Sequence, residues 1–237
     1  MLPKLSIVIP TKDEEEDLPV LLASLKSQTV QPYEIIVADA SSTDRTVEIA
    51  QMMGCKVVPG GMPGPGRNRG AEAATGEYLL FLDADVELLD ERFLEDNLAE
   101  MVAKGYDFAC PDVEPIEGTR FDRFSHEAYN RYCRLIAPLH QHAPGFCIFV
   151  KKAFHDKLGG FDEEVTFCED HEYAMRAAKA GKYGFLSKPV PVSIRRFDRD
   201  SRLGISIKYL LAEFHHWFIG PIKHDRFKYT FGHKKKK

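Results

Sequence analysis

The chain has 237 residues, 44% of them hydrophobic and 29% charged, which is the balance of a soluble globular protein with a substantial core. No apolar run approaches the roughly 18 residues of a membrane span, and the opening run "LSIVIP" is too short for a secretory leader, so a cytoplasmic protein is expected. The net charge of −4 conceals an asymmetry: residues 195–237 carry 12 Lys/Arg against 4 Asp/Glu, part of it Lys234–Lys237, leaving 20 against 32 in residues 1–194.

In chain order, Leu5–Pro10 is a short β-rich apolar run and reads as a buried strand. Thr11, with Glu14 three residues on, has the spacing of a capping box and predicts a helix leading into "LPVLLASL". Tyr33–Asp39 is a second buried strand. "ASSTDRTVEIAQMMG" reads as a capped helix ended by Gly54, "CKVVP" as a third strand and "GEYLLFLDAD" as a fourth. Strands alternating with helices of this length predict βαβ units and a parallel sheet, whose ligands bind beyond the carboxyl ends of the strands. Asp39 and Asp83 both stand at such ends.

The second half is less regular. "RFLEDNLAEMVAKG" predicts a helix closed by Gly105, "YDFACPDVEP" a strand broken by prolines, and 120–136 a further helix. "GFCIFV" is a strand and "GGFDE" a turn. "CEDHEYAMRAAKAG" is a helix opened by two acids, "PVSIRRF" a last strand and "LGISIKYLLAEFHHWFIG" a terminal amphipathic helix. The expected organisation is one domain over 1–200, with 1–110 as its nucleotide-binding half and 111–200 as its acceptor half, followed by a basic tail over 201–237. Five cysteines with no CxxC pair indicate buried free thiols rather than a disulfide framework or a zinc site.

Four stretches carry candidate chemistry. "GGMPGPGRNRG" (60–70) lacks the third glycine of a dinucleotide fingerprint, since Arg69 stands there, and it follows the third strand rather than the first. It reads as a flexible loop in which Arg67 and Arg69 either clamp a diphosphate or face solvent. In "YLLFLDADV" two like charges, Asp83 and Asp85, end a buried strand. Either water screens them or they hold a hard cation, Mg²⁺ or Mn²⁺, shared with substrate phosphates. Glu169 and Asp170 open a helix, where acids also simply complement the helix dipole. His140 and His142, before Pro144–Gly145, either line an acceptor site or lie exposed in a loop, while His215 and His216 fall on the terminal helix as surface or interfacial residues. On that helix Leu210, Leu211, Phe214, Trp217 and Phe218 share one face. It packs on the domain core or a second subunit, or else lies on an anionic membrane.

Together these stretches resemble the family 2 glycosyltransferases. The resemblance covers roughly residues 4 to 195 and rests on four motifs in order: "SIVIPTKDEE", "EIIVADASSTDRT", "GRNRGAEAATGEYLLFLDADV", and "GGFDE" followed by "CEDHEYAMRA". It implies a GT-A (Rossmann-like) α/β fold, a mixed, mostly parallel central sheet flanked by helices. It also implies inverting transfer from a UDP- or GDP-sugar to a sugar or lipid-linked acceptor, with no nucleic-acid partner. In that family's pattern Pro10, Thr11, Glu14, Asp39, Arg67, Asp83 and Glu169 contact the nucleotide sugar, Asp85 with Asp83 holds a divalent cation (Mn²⁺ or Mg²⁺), and Asp170 is the catalytic base. The chain departs from the pattern after the last strand, where "SIRRFDRDSR" has no histidine to add to the metal and offers Arg195 and Arg196 to the diphosphate instead. Two other readings are a sugar-nucleotide pyrophosphorylase, which would need a glycine-rich signature where "PTKDEEE" stands, and a non-catalytic nucleotide-sugar or lipid-binding module. A homodimer and contact of 203–237 with the inner membrane face complete the expectations.

Overall fold

Strand β1 (Leu5–Thr11) is buried along its whole length, as a strand covered on both faces must be. It lies between two parallel neighbours, β2 (Glu34–Asp39) and β4 (Tyr78–Leu82), with β3 (Lys56–Pro59) outside β2. Beyond β4 the sheet becomes mixed. β6 (Cys147–Lys151) runs antiparallel to β4 and to β5 (Phe108–Pro115), and β7 (Tyr183–Val192) runs parallel to β5. The order is β3-β2-β1-β4-β6-β5-β7 in one seven-stranded sheet. The computed structural model describes residues 2–61, 63–116, 118–192, 211–215 and 217–223.

Helices cover both faces. Ile7 and Ile9 of β1 point into one core with α1 (Leu18–Lys26), α2 (Thr46–Met52) and α4 (Phe93–Lys104). Val8 points the other way, into a second core with α3 (Gly64–Ala73), α6 (Lys152–Leu158) and α7 (Glu169–Ala180). This alternation is the period of two that a strand imposes. Helix α5 (Arg120–Ile136) lies outside these cores, with only Asp122 and Cys133 buried.

Several local expectations change. Thr11 does not cap a helix: it ends β1, and its hydroxyl donates to Asp39. Helix α1 starts at Leu18, where Pro19 in the first turn suits helix entry. Residues 40–45 form a loop and α2 begins only at Thr46. The glycine-rich stretch is not a flexible loop. It is α3, and its glycines serve close packing: a Cβ on Gly70 would stand 2.2 Å from Val8 Cγ1. Prolines do not break β5, which runs to Pro115 with a register shift between Pro111 and Val113. The last described strand is β7, earlier than "PVSIRRF", whose residues 193–197 lie outside the described residues, as do 203–210 of the terminal helix. Helix α6 carried no distinct signal, being seven residues that continue directly from β6. All five cysteines are buried free thiols.

Candidate functional site

The order of connection reverses at β1, from which the chain moves outward to β2 and β3 and then returns to β4 on the other side. Such a switch point opens a crevice beyond the carboxyl ends of the strands. Pro10 and Thr11 end β1, Asp39 ends β2 and Asp83 follows β4 directly, so all four line this edge.

Two groups of side chains form there. In the first, Asp39 accepts from Thr11 Oγ1 at 3.1 Å, from the Ser42 amide at 2.9 Å, and from the Ser42 hydroxyl. These bonds tie β2 to the loop that follows it. Glu14 is buried beside this group, with its amide donating to Thr46 Oγ1 at 2.8 Å. In the second, Arg67 donates from Nη1 to Glu169 Oε1 at 2.6 Å and from Nη2 to Asp83 Oδ1 at 2.9 Å. The guanidinium is 2% exposed, while Asp83 is 39% exposed and opens to the crevice. Arg67 also lies 5.4 Å from the centroid of Phe161.

Backbone packing places this second group. Gly70 lets α3 close on β1, and Gly66, one turn earlier, stands where a Cβ would meet the Gly61 carbonyl at 2.2 Å and Pro10 Cβ at 3.1 Å. Arg67 is therefore carried to the carboxyl edge, where the first turn of α7 supplies Glu169 and Asp170. Burial disfavours the charge on Arg67, but Asp83, Glu169 and Asp170 more than offset it and hold the guanidinium protonated. Among these four residues one positive charge faces three carboxyl groups, which leaves room for a proton or a further cation.

Asp170 takes up part of that imbalance. Burial and the neighbouring Glu169 raise its pKa to about 7, against the pull of Arg67 and of backbone donors at His171 and Gly145. Its Oδ2 accepts from the Gly145 amide at 2.8 Å, and its Oδ1 from the His171 amide at 2.9 Å. A Cβ on Gly145 would stand 2.6 Å from Oδ2, so this close approach depends on glycine. Sequence spacing gave Gly145 no role; it follows only from the loop's fold against α7.

Asp85 is exposed in the turn after β4. With Asp83 it offers carboxylate oxygen from a short segment, a donor type suited to Mg²⁺ or Mn²⁺ and insufficient alone, so that phosphate and water would complete the shell. Arg69 stays at the surface, with Nη1 3.8 Å from Glu163 Oε1. Arg195, Arg196, Leu210, His216 and Lys234–Lys237 lie outside the described residues.

His140 and His142 are buried, not exposed loop residues. His142 Nε2 lies 2.7 Å from Glu213 Oε2, and the His142 ring is 4.4 Å from that of His171, next to Asp170. Residues 211–215, 217 and 218 are helical, and this segment packs here through Ala212 and Ile222 on Phe167 and Cys168. Of the apolar face expected to pack on the domain core, only Trp217 among the described residues does so, stacking on His140, while Phe214 is 61% and Phe218 72% exposed, because Ala212 and Glu213 form the inner face instead. His215 is half-buried, with Nδ1 2.9 Å from the Gly220 carbonyl oxygen.

A sequence profile described as "Glycosyl transferase family 2" matches residues 6–159. The chain is similar to a 4,4'-diaponeurosporenoate glycosyltransferase of Staphylococcus haemolyticus, 41% identical over 111 residues, which are 43% of this chain and 29% of that protein. It is also similar to glycosyltransferase AglE of Haloferax volcanii, 28% identical over 76% of this chain and 63% of that protein. The chain thus spans less than two thirds of the length of these relatives. Among solved structures, S. aureus TarS 1-349 with UDP-GlcNAc superposes with a TM-score of 0.65 at 22% identity, covering 91% of this chain and 73% of that one. Mannosyltransferase PcManGT from Pyrobaculum calidifontis, with GDP-Man and Mn²⁺, gives 0.64 at 17% identity, covering 82% and 58%. These likenesses show the GT-A fold.

Proposed function

The chain belongs to glycosyl transferase family 2, and from that premise we propose that it is an inverting glycosyltransferase, moving a sugar from a nucleotide diphosphate sugar to an acceptor hydroxyl. The observation that carries the reading is Asp170, a carboxyl group with a pKa raised to about 7 at the edge of the crevice, beside the Arg67–Asp83–Glu169 group. A general base works best when its pKa lies near the working pH. With its pKa there, the carboxyl group is poised between its two forms at neutral pH.

In this reading the nucleoside rests against Pro10, Thr11, Glu14, Asp39 and Asp83. A divalent cation held by Asp83 and Asp85 would neutralise charge on the diphosphate. The charge count supports it: Arg67 is already engaged by two carboxylates, so an incoming diphosphate adds negative charge to a site that has little positive charge to spare. The solved structures of the same fold with UDP-GlcNAc, and with GDP-Man and Mn²⁺, support a nucleotide sugar with a cation. Arg67 fixes Asp83 and Glu169 and keeps a positive charge behind the leaving group. The acceptor oxygen attacks the anomeric carbon as the bond to the diphosphate breaks, and its proton passes to the Asp170 carboxylate. The nucleoside diphosphate leaves with the bonding electron pair, and the anomeric configuration inverts.

A panel of UDP-, GDP- and dTDP-sugars, each with Mn²⁺, tests the donor class by thermal stabilisation and by sugar hydrolysis. A donor at 100 times its dissociation constant stabilises by about 2.7 kcal/mol. One nucleoside class should stabilise the protein and be hydrolysed slowly. Stabilisation by none of them overturns the reading.

A further inference from the structure

His140, His142 and Glu213 bring one ligand atom each to within 4.8 Å of one another. The three come from two distant parts of the chain, the loop after α5 and the helical segment after residue 210. Glu213 is well furnished for a fixed role. Its Oε1 accepts from Tyr132 Oη at 2.9 Å and from Trp217 Nε1 at 2.7 Å, which leaves Oε2 turned to His142 Nε2 at 2.7 Å. His140 stacks on Trp217 with ring centroids 4.7 Å apart, and its Nδ1 stands 4.0 Å from Glu213 Oε1.

What these contacts leave over is telling. His140 is 5% exposed and His142 2%, yet neither ring nitrogen of His140 has a hydrogen-bond partner, nor does Nδ1 of His142. A buried polar atom without a partner is costly, because it gives up its water and gains nothing in return. Two imidazoles meeting a carboxylate, with ring nitrogens idle, are what a metal ion would satisfy. Imidazole with one carboxylate suits Zn²⁺ and its first-row neighbours, whereas Mg²⁺ and Mn²⁺ favour oxygen. Tyr132 and Trp217 then act as the outer donors that orient the ligating carboxylate.

We propose that His140, His142 and Glu213 bind a zinc-class transition metal, distinct from the cation held by Asp83 and Asp85, which clasps the C-terminal helical segment against the α7 side of the domain. Binding replaces the His142–Glu213 hydrogen bond, and any proton shared there is released. Three protein ligands leave a coordination position for water. The site depends neither on the donor nor on the sugar-transfer reading, and its test does not use activity.

The full chain, purified without a metal-affinity step, is depleted with chelator, titrated with Zn²⁺, gel-filtered and assayed for metal. One zinc per chain is expected to remain, and Co²⁺ in its place should give visible ligand-field bands. His140→Asn, His142→Asn and Glu213→Gln should each weaken binding by roughly a hundredfold and abolish the cobalt bands. Asp85→Ala and His126→Asn should retain both. If His142→Asn misfolds, wild type and Glu213→Gln still decide. Folded wild type that keeps no zinc and shows no cobalt bands overturns the proposal, as does wild-type binding in all three ligand variants or loss of binding in Asp85→Ala.

Discussion

Asp170 holds its proton more tightly in the folded protein than an unfolded carboxyl, which titrates near 3.9. Burial and Glu169 are the causes, and they raise its pKa to about 7. The folded state therefore binds more protons between about pH 4 and pH 7, and stability falls as pH rises through that window. Asp170→Asn keeps the shape and removes the charge. It should raise the melting temperature at pH 8, at roughly 2–4 °C per kcal/mol regained, and change it little at pH 4. Calorimetry at the two pH values checks this; equal destabilisation at both would make Asp170 a structural hydrogen-bond acceptor. In wild type kcat/KM should rise with pH on an acid limb near 7. Gly145→Ala acts on the same carboxyl from outside, because the new methyl group would press on Oδ2. Turnover should fall while donor affinity, read by titration, is kept. Arg67→Met leaves Glu169 buried without its partner and should cost about 3–5 kcal/mol by chemical denaturation.

At the scale of the element, α3 decides whether the site exists. Alanine normally favours a helix interior over glycine by about 1 kcal/mol. At Gly70 the clash with Val8 reverses the sign, and Gly70→Ala should destabilise by about 1–3 kcal/mol. A neutral or stabilising effect in a denaturation experiment would mean that α3 does not rest on β1 as described. The same helix shows what the sequence could convey. The apolar runs of β1, β2 and β4 and the Gly105 stop of α4 are local signals, and each names its element directly. Four glycines and two prolines within 60–66 read locally as a loop; only contact with β1 and residue 61 shows that the glycines make room for a helix. The carboxylates at strand ends were legible because strand polarity follows from the alternating pattern. The union of Arg67 with Glu169 was not, because it spans 102 positions and depends on how α3 and α7 cross the sheet. The burial of His140 and His142 likewise waits on the segment after residue 210, which no periodicity directs to that loop.

For the whole molecule, an acidic body carries a basic C-terminal region, and no helix among the described residues is long and apolar enough to cross a membrane. The segment anchored by Glu213 turns Leu211, Phe214, Phe218 and Ile219 outward; α5, joined to it through Tyr132, exposes Leu135, and the turn after α5 exposes Leu139. Apolar exposure of this kind, in a stretch whose sequence is basic, would suit contact with an anionic bilayer, to which each basic residue near the surface adds about 1 kcal/mol. Co-sedimentation with anionic vesicles should be strong at low salt and weak at high salt, and Phe214→Ser with Phe218→Ser should reduce it. Concentration-dependent dimerisation without vesicle binding would assign this surface to a second subunit. The central claim, sugar transfer with Asp170 as base, is tested most directly by comparing donor titration and sugar release for wild type and Asp170→Asn in the same buffer with Mn²⁺. The variant should bind the donor as wild type does and turn it over roughly 10²–10⁴-fold more slowly. Turnover equal to wild type would contradict the account.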